Sequence, residues 1–290
     1  MSGTIPQSVM SKGFNGRAPG LELQNISTLE NNVFVGQHAG NRNEVQGGNV
    51  FVGHSSGSQN RKGVSNCFIG KNSGKQNTVG NENTFIGLSA GENNSMGSRN
   101  VYIGKDSGKS NLNGSVNTFV GSGTGSNNKT GNNNVFVGSL SGENNNDGNE
   151  NVFVGPYTGQ NNARGNANVF VGNMAGRNSS RGDSNVFLGS MAGACNIEGQ
   201  NNVFVGTKSG MSNNSGSDNV FIGKESGQDN QSGNYNVFLG FQSGMSNQSG
   251  SQNIFIGYRT GRNNVSGNKN IILGIDIPGD DGDNNVTLGT

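Results

Sequence analysis

The chain has 290 residues, of which 52 are Gly and none is Trp, with 29% hydrophobic and 13% charged residues and a formal net charge of +1. So balanced a charge, with Lys and Arg scattered singly, gives no basic stripe with which to neutralise phosphates and argues against nucleic acid. No run approaches the eighteen or so apolar residues of a membrane-spanning helix, so no membrane insertion is expected.

Residues 1–31 form the first segment. Pro6, Pro19 and Gly13, Gly16 and Gly20 make it irregular, and "LELQNISTLE" at 21–30 alternates apolar and polar residues like an entry strand or cap. The first twenty residues lack the apolar core of a secretory leader, so none is expected. A stacked repeat needs an end that blocks further stacking, and 1–31 is read as that cap and as an attachment segment.

Residues 32–274 are a repeat of seventeen residues. Fourteen complete copies run from Asn32 to Lys269 without insertion or deletion, and a fifteenth opens at Asn270. With positions numbered as slots 1 to 17, slot 1 is Asn throughout. Slot 2 is Val, Ile, Thr or Cys, slot 3 is an aromatic except at Ile272, and slot 4 is Val, Ile or Leu. Slot 5 is always Gly, and in the full copies slot 9 is Gly and slot 8 is Ala, Ser or Thr. Slot 12 is Asn except at Ser179, and slot 15 is Gly except at Gln46.

Slots 2 to 4 suit a short strand. Gly at slots 5, 9 and 15 suits corners or close backbone approach. Asn at slots 1 and 12 can bond the backbone at a turn or stack on its copy as an amide ladder. One repeat per coil lets each coil pair in register with the next, which is the signature of a β-solenoid. The fold class is therefore all-β, a parallel β-solenoid of 17-residue coils. The other slots vary freely and carry nearly all the charge.

Side chains alternate across a strand, so slot 3 faces away from slots 2 and 4. Either the ring column or two aliphatic columns must face outward. A soluble monomer rarely leaves so long an apolar stripe uncovered. The expectation is an obligate homo-oligomer, a side-by-side trimer; the alternative is a monomer whose single large core holds both columns because the strand bends. The trimer's shared axis would be the aromatic ladder of Phe34, Phe51, Phe68, Phe85, Tyr102, Phe119, Phe136, Phe153, Phe170, Phe187, Phe204, Phe221, Phe238 and Phe255.

Residues 275–290 break the register: "IDIPGDDGD" is followed by a shortened copy at Asn285. This segment is read as an acidic loop and cap. Asp276, Asp280, Asp281 and Asp283 are a weak candidate Ca²⁺ site, since that cation takes oxygen ligands. His38 and His54 read as idle surface groups, and no catalytic set, phosphate loop or cofactor site is apparent. Cys67 and Cys195 fall in the third and tenth copies, about 33 Å apart at ~4.7 Å per coil, too far for an internal disulfide. Asn-x-Ser/Thr triplets such as Asn93-Asn94-Ser95 are frequent, as chance predicts for this composition.

"NTFIGLSAGENNSMG" at 83–97 resembles the repeats of phage and virion tail fibres, and "NVFVG" followed by a small residue and Gly resembles the head repeats of trimeric autotransporter adhesins. The resemblance covers 32–274. It implies a left-handed β-roll in three copies, with a shaft or attachment role. The copies here are longer than the usual adhesin repeat, and no leader, neck, stalk or membrane anchor is seen. The favoured expectation is therefore a non-enzymatic fibre or spike protein of a virus particle, in the phage manner. It would dock on other virion proteins through 1–31 and contact host-surface glycans or proteins. An exported cell-surface trimeric adhesin is the alternative. An ice-binding solenoid is disfavoured by having only Thr84 and Thr118 at slot 2.

Overall fold

The computed structural model describes residues 31–289. Each seventeen-residue copy makes one coil containing one three-residue strand, and no helix occurs among the described residues. The chain divides into two compact units, residues 1–130 and 131–290. The first holds β1 (Val33–Val35), β2 (Val50–Val52), β3 (Cys67–Ile69), β4 (Thr84–Ile86), β5 (Val101–Ile103) and β6 (Thr118–Val120). The second holds β7 (Val135–Val137), β8 (Val152–Val154), β9 (Val169–Val171), β10 (Val186–Leu188) and β11 (Val203–Val205). It continues with β12 (Val220–Ile222), β13 (Val237–Leu239), β14 (Ile254–Ile256), β15 (Ile271–Leu273) and β16 (Val286–Leu288). Most of the 1–31 segment lies outside the described residues.

Within each unit the strands pair in parallel in chain order, like slot on like slot. In the first unit Phe51 pairs with both Phe34 and Phe68. In the second Phe187 pairs with Phe170 and Phe204. A one-residue slip would swap the two faces of the strand, and the unbroken seventeen-residue period prevents it.

Three strand residues cannot by themselves satisfy a coil's backbone, and the turns do the rest. Gly57 N–H donates to Ser73 of the next coil at 2.9 Å, and Arg61 N–H donates to Thr78 at 3.0 Å. In the opposite direction, Ser55 N–H donates to Gln37 at 2.8 Å. The turns are laddered from coil to coil as the strands are, which answers the need to pair buried backbone polar groups.

The slot-3 rings are the core. Every ring from Phe51 to Phe255 has zero exposed surface, and Phe34 is 2% exposed. Successive rings lie parallel, with centroids 4.8 Å apart and planes within 7° from Phe51 to Phe68, and the same spacing from Phe221 to Phe238. Each ring lies flat on the slot-9 Gly of its own coil. A Cβ at Gly227 would stand 2.5 Å from the Phe221 ring, and φ there is +56°.

The expectation of an inter-chain ladder at these fourteen aromatics is thus corrected. They fill the interior of a single chain, and slots 2 and 4 face outward. A coil of seventeen residues encloses one ring, one small slot-8 residue and the two Asn side chains, which leaves no interior room for two further aliphatics.

Polar ladders flank the rings. The Asn66 N–H donates to Oδ1 of Asn49 at 3.0 Å, and the Asn66 Nδ2 donates to the Gly80 carbonyl at 2.9 Å. From slot 12, Asn77 Nδ2 donates to Asn60 Oδ1 at 2.7 Å and to the same Gly80 carbonyl at 3.0 Å. A Cβ at Gly80 would run into the Asn77 side chain and the Gly97 carbonyl. The slot-15 Gly is therefore required for space rather than for a positive φ. At slot 8, Ser73 Oγ donates to the Phe85 carbonyl at 2.9 Å. Buried polar groups paired in this way avoid the desolvation penalty of about 1–3 kcal/mol each.

Candidate interaction face

Slots 2 and 4 line the outer side of each strand, and no charged residue occupies either slot in any of the fifteen copies. Their neighbours above and below cover most of each side chain. What remains is a continuous strip: in the second unit Val137 is 36% exposed and Leu239 42%. Over the ten strands of that unit the strip amounts to apolar surface on the order of 1,000 Å², more than a soluble monomer ordinarily leaves open and enough for one side of a stable interface.

The slot-6 column adds aromatic surface in the second unit. Phe241 and Tyr258 stack at 5.4 Å, with Lys224 Nζ 5.7 Å from the Phe241 centroid and the Arg259 guanidinium 5.9 Å from that of Tyr258. Tyr258 is half exposed.

The four aspartates are not gathered into a cation site. Asp276 lies 3.7 Å from both Arg259 and Arg262. Asp280 Oδ1 accepts from Gly282 N–H at 3.0 Å and from Asn285 Nδ2 at 3.1 Å. Asp281 Oδ1 accepts the N–H groups of Val265 at 2.6 Å and Ser266 at 2.9 Å. Those backbone donors, Ser266 foremost, hold its carboxyl below the usual carboxylate range. Asp283 Oδ1 accepts from Asn268 N–H at 2.6 Å. The Asp281 and Asp283 carboxylates thus take the place of rungs that the shortened last copy does not supply to Val265, Ser266 and Asn268. Among the described residues no group of three His, Cys, Asp or Glu side chains could hold a metal ion.

Where the ring column gives way to Ile272 and then Thr287, a cavity of about 180 Å³ opens, lined also by Asn270, Gly279, Asp280, Asn285 and Val286. The His38 and His54 rings meet edge to face at 5.9 Å. Both cysteines are free, Cys67 half-buried with its thiol pKa raised by that burial, and Cys195 exposed.

Two features of the repeat were hidden in slots that look unconstrained. Slots 7 and 17 hold a positive φ in every coil, as at Leu140 (56°), Tyr157 (57°), Val116 (60°) and Glu150 (59°). Slot 16 carries a further ladder, in which Asn149 N–H donates to Asn166 Oδ1 at 2.9 Å and Asn166 N–H to Asp183 Oδ1 at 2.7 Å. The recurrent Asn, Ser and Asp at slot 16 is a signal of this ladder in the sequence. Slots 7 and 17, which accept Leu, Tyr, Val and Lys alike, give no such signal.

These features define the chain as a parallel β-solenoid repeat protein. In comparison with known proteins, no family model, no curated protein and no solved structure matches it.

Proposed function

We propose that this protein is a structural fibre or spike element of a virus particle, acting without catalysis. Three copies pack side by side, with the strips of slots 2 and 4 turned toward one another. The carrying observation is the uncharged strip over a core that is already closed: the rings are enclosed within the single chain, and the one apolar surface among the described residues that runs unbroken from coil to coil within a unit is the outer face of the strands. The number of copies, the left-handed coil and the virion setting follow the resemblance of residues 83–97 to tail-fibre repeats. Other virion proteins are the partners of 1–31, and host-surface glycans or proteins those of the outer turns. Export as a cell-surface adhesin is the alternative setting for the same assembly.

Sedimentation of the full chain tests the assembly. Three chains of 30.0 kDa give a particle of about 90 kDa. Val154→Lys with Val171→Lys, which places charges on the outer strip, reduces it to the single-chain mass while the circular dichroism of the coil is retained. A natural chain that sediments as a stable single copy removes the proposal. Antibody labelling of source particles in electron micrographs tests the virion setting, and labelling of intact uninfected cells would favour the adhesin setting instead.

A further inference from the structure

Five Asn-x-Ser/Thr triplets begin at slot 12: Asn128, Asn213, Asn230, Asn247 and Asn264. Such triplets are acceptors for N-linked glycans and belong on accessible loops. Here all five acceptors have zero exposed surface. Their amide hydrogens are committed. Asn230 Nδ2 donates to Asn213 Oδ1 at 2.7 Å and to the Gly233 carbonyl at 3.1 Å. Asn247 Nδ2 donates to Asn230 Oδ1 at 2.8 Å and to the Gly250 carbonyl at 3.0 Å.

Glycan transfer needs that same nitrogen. Nδ2 attacks the anomeric carbon of a lipid-pyrophosphate-linked oligosaccharide, forming the N–C1 bond. The C1–O bond breaks, the lipid pyrophosphate leaves with the electron pair, and Nδ2 gives up one proton. A glycosylated Asn keeps a single N–H, so one of its two ladder bonds is lost. The sugar also has no space in the coil interior. An unfolded chain, by contrast, presents all five acceptors.

We propose that N-glycosylation and folding are mutually exclusive in this protein, so that it is suited to fold only in a compartment without oligosaccharide transfer to Asn. This goes beyond the fibre reading and does not depend on it, since it rests on the slot-12 ladder alone. Asn113 is the internal control: it heads the triplet Asn113-Gly114-Ser115 from exposed slot 14 and can carry a glycan outside the coil.

The test directs the full chain to the secretory pathway of a eukaryotic cell and compares it with the chain made in bacterial cytoplasm. The expected result is glycans on slot-12 Asn and loss of the soluble, protease-resistant fraction. Thr130→Ala, Ser215→Ala, Ser232→Ala, Ser249→Ala and Ser266→Ala together remove the triplets at exposed slot-14 positions, leave the ladder intact, and restore that fraction. Blocking synthesis of the lipid-linked donor restores it for the natural chain without any substitution. A soluble, resistant natural chain from the secretory pathway with glycans on its slot-12 Asn overturns the mutual exclusion, and one with those Asn bare overturns the restriction to a compartment without transfer. Continued insolubility when the donor is blocked overturns the proposal as well.

Discussion

The side-chain amide of Asn213 donates to Asn196 Oδ1 at 2.6 Å and to the Gly216 carbonyl at 2.8 Å, and its own Oδ1 accepts from Asn230. One residue thus joins three successive coils and closes a turn, with no exposed surface. Asn213→Ala leaves the Asn196 Oδ1 acceptor and one Asn230 N–H without partners, while the Gly216 carbonyl keeps its bond from Asn202. At about 1–3 kcal/mol for each orphaned buried group, a loss of several kcal/mol is expected. Urea denaturation checks it, and a change below 1 kcal/mol would mean that water replaces the rung.

Phe153 stacks on Phe136 at 4.7 Å and on Phe170 at 4.9 Å. Phe153→Ala is expected to cost about 3–5 kcal/mol, and because the ring is interior to one chain the loss appears in the fold of that chain. Hydrogen exchange of the dissociated chain tests this: protection in the neighbouring coils falls. Unchanged protection, with only assembly weakened, would place the ring between chains after all.

Positive φ has opposite consequences at slots 7 and 9. Gly227→Ala at slot 9 meets both φ +56° and the Phe221 ring and is expected to destabilise the coil by more than ~2 kcal/mol. Leu140→Gly at slot 7, where φ is 56°, relieves a left-handed cost of about 1–2 kcal/mol against the entropy of Gly, about 0.5–1 kcal/mol. A small rise in melting temperature is the expected outcome, and a fall would show that the Leu140 side chain contributes more by packing.

Tyr102 is the one phenol in the ring column. Burial pushes its pKa up, and an Asn117 side-chain hydrogen bond only partly offsets this. By distance and angle, however, the buried hydroxyl has no hydrogen-bond partner. Tyr102→Phe matches the rest of the column and removes the burdened hydroxyl, so stability should rise by about 1 kcal/mol. Calorimetry decides, with a loss of stability implying that the hydroxyl is well satisfied.

The C-terminal coil should loosen in acid. Asp281 has a folded pKa below its unfolded value of 3.8. Its contribution is therefore present above that unfolded value and is lost as pH falls through the lower, folded one. Hydrogen exchange at the Val265 and Ser266 amides is expected to quicken in that acid window, and Asp281→Asn is expected to flatten the dependence. Exchange at those amides that ignores pH would show that the carboxylate is not what protects them.

The coil, its register and its ladders were legible in the residues. An unbroken period of seventeen admits one pairing, and Asn at slots 1 and 12 offered either a bond to the turn backbone or an amide ladder; the structure makes both at once, with Asn66 and Asn77 meeting on the Gly80 carbonyl. Alternation also fixed that the ring and the two aliphatics of a strand face opposite ways. It could not say which way was in, because both faces are apolar and a local rule carries no information about enclosed volume. Only the closed coil decides that: once the Asn49 and Asn60 side chains and Ser56 are folded inward, the space left is that of one Phe51 ring, and Val50 and Val52 must face outward. The left-handed residues at slots 7 and 17 were likewise set by closure. There the path of the chain dictates φ while the side chain, from Leu140 to Lys208, points away from the core and is free to vary.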